Sequence, residues 1–142
     1  MPVYSAAREL PASRQDVWVF LAEPNHLGDW WPGINGVQPD SRGLAPGARW
    51  RIHGRGRPTY IGGRRPDVAG TIIFLELKPP ELVSWQFVET RIDVELRLKE
   101  VAENRARAEL TVSAPFLGGL RRSLPQKALT RLQALCQTGV EA

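Results

Sequence analysis

The sequence predicts an α+β protein in which a run of antiparallel strands has one dry face, covered by a long C-terminal helix and a short helical V. Three observations predict it. The hydrophobic period is helical from Ser13 to Trp31, two from Ala48 to Val112, and helical again from Phe116 onward. The block Ser13 to Pro32, SRQDVWVFLAEPNHLGDWWP, is a capped amphipathic helix that stops at a proline and delivers Trp30-Trp31-Pro32. Between the strand-like runs stand turn signals: Pro46-Gly47, Gly62-Gly63, Pro79-Pro80 and Asn104.

Val3 to Leu10 can form an opening strand, closed by Pro11. Ser13 reads as an N-cap with Asp16 three residues on, a capping-box variant that satisfies orphan backbone N–H groups. Val17, Phe20 and Leu21 then share one helical face, with Trp18 beside them, and Pro24 forbids continuation. Asn25 is a candidate cap for a second short helix carrying His26, Leu27, Asp29 and Trp30, stopped by Pro32-Gly33.

The period then changes. Ala48, Trp50 and Ile52 alternate with Arg49, Arg51 and His53, which predicts a half-buried strand, and Gly54 to Pro66 reads as a long loop. Gly70 to Leu77 and Leu82 to Val88 predict a hairpin about Pro79-Pro80. Ile92, Val94, Leu96 and Leu98 alternate strictly with charged residues, as do Ala106, Ala108, Leu110 and Val112, so both strands have one wet face. From Phe116 a stripe of Leu117, Leu120, Leu124, Ala128, Leu132, Leu135 and Cys136 predicts the C-terminal helix. Pro125 predicts a kink or break in it; a second helix starting with Pro125 in its first turn is the competing reading.

With 142 residues, the chain has the length of one domain, residues 1–142, large enough to bury a core. Its composition, 42% hydrophobic and 24% charged, is that of an ordinary globular protein. No apolar run reaches the roughly 20 residues of a membrane span, and Arg8 and Glu9 interrupt any secretory signal, so no integral membrane segment and a cytoplasmic location are expected. Cys136 is the single cysteine, excluding an intramolecular disulfide; it reads as a packing thiol. Arg42 to Arg65 holds seven arginines and no acid. Alternation makes this the solvated face of a strand, with a ligand entrance as the alternative; no nucleic-acid motif accompanies the charge.

A helix about 10 Å wide is narrower than a sheet of about six strands spaced by roughly 4.8 Å, so an internal cavity is geometrically reasonable. Its candidate lining comes from the dry face: Trp50, Ile52, Val83, Trp85, Phe87, Val94, Leu96, Ala108 and Leu110, with Trp30 from the V and Leu124 and Ala128 from the C-terminal helix. Tyr60, in the glycine-rich loop, is a candidate lid. Each of these side chains suits an ordinary core equally well. Polar candidates are sparse. His26 and Asp29 read as an exposed pair, His53 points outward by alternation, and Glu76, Arg91 and Asp93 read as exposed. No metal-ligand spacing, nucleophile elbow or phosphate loop occurs, so no catalytic residue, metal or cofactor is assigned.

Ser13-x-x-Asp16-Val17-Trp18, Trp30-Trp31-Pro32-Gly33, Pro46-Gly47, Glu76 with Pro79-Pro80-Glu81, Leu82-x-x-Trp85 and the Leu-rich final helix together resemble the START-like, Bet v 1-like (SRPBCC) superfamily, and within it the polyketide cyclase/dehydrase and lipid-transport group. The resemblance implies a helix-grip fold: a seven-stranded curved antiparallel sheet around the long C-terminal helix, with two short helices after the first strand. It also implies a cavity for a small hydrophobic or aromatic molecule. Such families include carriers, aromatase/cyclases that fold and dehydrate polyketides, and co-chaperones that stimulate a heat-shock ATPase. The expected function is therefore that of a carrier or sensor of a lipid- or polyketide-like ligand. A cyclase/dehydratase and a protein-interaction module are the alternatives, and a homodimer is left open.

Overall fold

The computed structural model describes residues 3–34, 36–54, 58–59, 63–64, 68–115 and 122–141. A seven-stranded antiparallel sheet runs in the order β1 (Val3–Leu10), β9 (Arg105–Ser113), β8 (Ile92–Ala102), β7 (Leu82–Phe87), β6 (Val68–Lys78), β3 (Arg49–Gly54), β2 (Gly36–Pro39). Helices α1 (Arg14–Ala22) and α2 (Leu27–Trp30), separated by a 3₁₀ turn at Pro24–His26, follow β1, and α3 (Leu124–Glu141) ends the chain. This is the expected helix-grip architecture.

Chemistry accounts for each boundary. The Ser13 hydroxyl accepts from the Asp16 N–H at 3.1 Å and starts α1. Replacing Ser13 by alanine should cost about 1 kcal/mol, read as a lower urea midpoint with an unchanged slope. The 3₁₀ turn is capped by the Glu23 side chain, which accepts from the Asn25 N–H at 3.4 Å; α2 starts after His26 without a side-chain cap, so the cap expected of Asn25 is not made. Helix α3 begins at Leu124, so Pro125 stands in its first turn, where its missing N–H has no partner to lose. The competing reading of that proline holds, and the stretch from Phe116 to Leu120 lies outside the described residues.

Three strand features depart from expectation. Gly36–Pro39 forms an edge strand on β3, where Pro39, with no N–H to donate, is tolerated. Within the segment read as a loop, β3 extends to Gly54, and β4 (Pro58–Thr59) pairs with β5 (Gly63–Arg64) as a separate ribbon. In β6 the register shifts between Phe74 and Glu76. The extra residue, Leu75, is turned out to solvent, 52% exposed, and the bulge lets both Phe74 and Leu77 meet inward partners, Trp85 and Val83.

The inner face of β8 and β9 is closed: Val94, Leu96, Leu98, Ala106, Ala108, Leu110 and Val112 are all buried. Their outer face carries ion pairs such as Lys99–Glu109 at 3.0 Å, which hold little stability in water. Helix α3 packs on β1, β9 and α2, burying Ala128, Leu129 and Leu132. Alanines at 106, 108 and 128 keep both surfaces low enough for close approach. Gln133 fixes the helix on β1, accepting from Arg8 at 2.5 Å and donating to the Glu9 carbonyl at 3.1 Å.

Candidate functional site

Because α3 lies over the β1–β9 side, the β7–β6–β3 half of the sheet needs a different cover. The helical V and the 40–48 loop supply it. Trp30 and Trp31, adjacent in sequence, are both buried and edge-on to each other at 5.4 Å between ring centroids. Both meet Trp85 on β7, at 6.3 and 5.6 Å, and Trp31 also meets Phe87 at 5.6 Å. Phe74 of β6 links Trp85, at 6.2 Å, to Trp50 of β3, at 4.6 Å. Four of these contacts are edge-to-face, the arrangement that suits the ring quadrupoles, and Trp31–Phe87 and Phe74–Trp85 are tilted. The proline-glycine pair after Trp31 thus ends a wedge whose two rings both go into the interior.

Between this aromatic row and its cover lies a void of about 20 Å³, walled by Leu21, Leu27, Trp30, Leu44, Trp50, Ile72, Phe74, Val83 and Trp85. It has room for about one water molecule. Every wall side chain is aliphatic or aromatic. No polar or charged residue among the described residues is buried. Two indole nitrogens behave differently here. That of Trp50 donates to the Gly43 carbonyl at 2.8 Å, whereas the buried Nε1–H of Trp85 has no hydrogen-bond partner. A larger depression of about 520 Å³ lies against Ser123, Gln126, Lys127, Thr130 and Arg131, all within one stretch of chain, and the described residues supply it no opposing wall.

Leu44 reaches the void from a loop held by a carboxylate. Asp40 accepts from the N–H of Arg42 and of Arg49, both at 2.9 Å, tying the start of the loop to the first residue of β3. The Arg42 guanidinium donates to the Gly47 carbonyl at 3.0 Å, and Gly47, at φ 80°, donates to Phe74 at 2.8 Å. The Arg49 backbone N–H, chiefly, holds the Asp40 carboxyl below its ordinary 3.8; burial opposes the shift, and the Arg42 N–H and charge add to it. The folded state therefore binds this proton less readily than the unfolded chain. The clasp contributes fully above about pH 4 and is lost as pH falls through the depressed value. Thermal melts from pH 6 to 2 should accordingly fall less steeply in Asp40→Asn than in the wild type; parallel curves would remove Asp40 from this role.

Of the residues expected to line a cavity, the structure places Trp30, Trp50, Val83 and Trp85 on the wall of this void. Val94, Leu96, Ala108, Leu110 and Ala128 lie in the packed core, and Ile52, Phe87 and Leu124 are half-buried against it. Tyr60 lies outside the described residues. Leu21, Leu27, Leu44, Ile72 and Phe74 were not foreseen as lining. The alternation of Ile72 and Phe74 with polar or outward neighbours was available as a signal; Leu44, in a loop without periodicity, gave none.

The polar candidates do not converge. His26 is half-buried rather than exposed: its Nδ1 lies 2.8 Å from the Phe20 carbonyl and its ring stacks on Phe20 at 4.0 Å. Asp29 is exposed, so the two do not act as a pair. His53 is half-buried opposite Gly36 of β2. Glu76, Arg91 and Asp93 are exposed. Arg91 occupies the left-handed region at φ 57°, in the turn before β8. Arg49 and Arg51 are exposed, as alternation required, while Arg55, Arg57 and Arg65 lie outside the described residues. Half-buried Cys136 has its thiol pushed up to about 11 by burial, which keeps it protonated and unreactive near neutrality. No cluster of metal-ligating side chains occurs among the described residues, and none of their helices is long and apolar enough to cross a membrane.

Solved structures share this architecture. The protein NE0264 from Nitrosomonas europaea superposes with a TM-score of 0.69 at 19% identity, covering 99% of this chain and 97% of that one. XoxI from Bacillus cereus gives 0.71 at 15%, covering 100% and 99%. The Aha1 dimer from Colwellia psychrerythraea gives 0.63 at 18%, covering 97% and 96%. At such identities the likeness establishes the fold. No curated protein matches the chain. The profile of one family, described as polyketide cyclase/dehydrase and lipid transport, matches residues 1–141. With that match over the whole sheet and all three helices, the chain belongs to the polyketide cyclase/dehydrase and lipid transport family of the START/Bet v 1-like superfamily.

Proposed function

We propose that this protein binds a small hydrophobic or aromatic molecule, lipid- or polyketide-like, between the helical V and the β3–β6–β7 half of the sheet, as a carrier or sensor. The observation that carries this reading is the void itself: an aromatic-walled gap under a cover of two short helices and a loop, rather than under the long helix. Short elements with few contacts open at lower cost than a core strand or a docked 18-residue helix. At about 20 Å³ the gap accepts a ligand only when that cover moves outward. The sheet side of the wall stays fixed by its ladders.

Catalysis finds less support, because acid-base chemistry needs at least two polar groups converging on the ligand, and the wall side chains offer none beyond indole N–H. The small size of the gap is the one observation that favours the third reading, an interaction module with a filled core. That reading also needs a contiguous apolar surface. Among the described residues, the large exposed apolar side chains, Val3, Val19, Leu75, Val88 and Val101, come from five separate stretches of the chain.

Native mass spectrometry of freshly purified protein, paired with thermal melts against fused-ring aromatic ketones and fatty acids, tests the proposal. A co-purified mass of a few hundred daltons, or a rise in midpoint with at least one class, is expected. An apo mass together with unshifted melts across the panel would overturn the ligand reading.

A further inference from the structure

We infer that residues 43–47 form a flap over the void, hinged at Gly43 and Gly47, and that a ligand enters when this flap, rather than the helical V, swings away from the sheet. The inference rests on the ligand-binding reading above and adds the route of entry.

The two parts of the cover are anchored unequally. The V gives Leu21, Leu27 and Trp30 to the wall. Trp30 and its neighbour Trp31 are 2% and 4% exposed and both meet Trp85 edge-on, so lifting the V draws two indoles out of the interior. The loop gives the wall Leu44, which is half-buried. Withdrawing that one side chain uncovers far less apolar surface.

Both ends of the loop are fastened. Asp40 ties the first end to β3 through the N–H groups of Arg42 and Arg49, and the Gly47 N–H ties the second to the Phe74 carbonyl of β6. The Arg42 guanidinium joins the two ends by donating to the Gly47 carbonyl. Between them the Ala45 carbonyl accepts from the Ala48 N–H at 3.0 Å, a bond within the loop itself, and Pro46 is exposed and has no N–H to give. Gly43 and Gly47 stand at φ 66° and 80°, a region that glycine enters and leaves freely, as a hinge requires. The Trp50 Nε1–H reaches across to the Gly43 carbonyl at 2.8 Å. Rotation at Gly43 breaks that bond, so this indole N–H reports the opening.

Two glycines supply a matched test. A Cβ on Gly43, or on Gly33 at φ 88° just after the V, would meet no atom within 4 Å, so alanine at either position strains the left-handed backbone without a clash. Gly43→Ala should favour the open flap, where the strain is relieved. The Trp50 indole N–H of the ¹⁵N-labelled chain should then exchange with solvent roughly five- to thirtyfold faster, the size of the left-handed penalty. Gly33→Ala, strained alike but outside the flap, should leave that rate unchanged. In the wild type the same exchange should be indifferent to urea below the unfolding transition, as a local opening is. Equal acceleration in both variants, or a wild-type rate that climbs with urea as global unfolding does, would overturn the flap; the urea series decides alone if Gly43→Ala does not fold. Stopped-flow binding of 1-tetralone should be faster in Gly43→Ala than in Gly33→Ala by the factor seen in exchange. Equal association rates would remove the flap as the entrance and leave ligand binding standing. If 1-tetralone and the rest of the thermal panel fail to bind the wild type, the entry route falls with the ligand reading.

Discussion

Trp85→Ala is expected to lower stability by about 3–5 kcal/mol and, in the same variant, to weaken any ligand that stabilises the wild type. Its ring touches Trp30, Trp31 and Phe74 at once, and its strand neighbours are Phe74 on β6 and Val94 on β8. Truncation therefore removes the ring on which the cover from α2 rests and leaves a cavity that the paired strands on either side cannot collapse to fill. Chemical denaturation gives the stability loss; a titration with the best ligand from the thermal panel gives the affinity. Should affinity stay unchanged for every ligand that stabilises the wild type, the side chain does not line the site, whatever it does for the fold.

The second large effect belongs to the C-terminal helix. Leu132 is fully buried, while Leu135, one turn on, is half-buried against the same core. Leu132→Ala should cost about 2–5 kcal/mol, a fall in urea midpoint on the order of 1–2 M, and Leu135→Ala clearly less. Although α3 also packs on α2, it supplies no side chain to the walls of the aromatic void, so Leu132→Ala should leave ligand affinity nearly unchanged at temperatures where the protein is folded. The two substitutions thus separate fold from site: one harms both, the other the fold alone.

The fold was legible wherever a periodic pattern ran long enough to have a face. Strand β8 alternates from Ile92 to Lys99 and β9 over all nine of its residues, and one side of each is dry. Helix α1 announces itself by Ser13 and Pro24. What escaped notice was short or aperiodic. Strand β2 has four residues, two of them glycine and proline, and no alternation to read. The bulge at Leu75 is a register property of two strands together, invisible along either one. Helical spacing placed Leu124 and Ala128 on the inner face of α3 but said nothing of which strands that face would meet.

The candidate site was legible by half for the same reason. Trp50, Val83 and Trp85 follow from alternation on strands, and Trp30 from its place in the V. Leu44 depends on Asp40 and the hydrogen bonds of its loop, which no spacing encodes. Nor does sequence report volume: the width argument requires a gap somewhere beneath the sheet's cover, yet packing closes it to about 20 Å³. The bonding state of an indole is likewise a property of the folded neighbourhood. Trp50 and Trp85 read alike in the chain and differ only once Gly43 has been brought to one of them.

The most direct test of a ligand site under the helical V is an isotope-filtered NOE experiment on the protein saturated with 1-tetralone. Contacts from the bound ring should reach the methyl groups of Leu21, Leu44, Ile72 and Val83, which border the void from its cover and from the sheet. Contacts confined to the exposed residues of α3, or to the outward side chains Val19, Leu75 and Val101, would contradict the account.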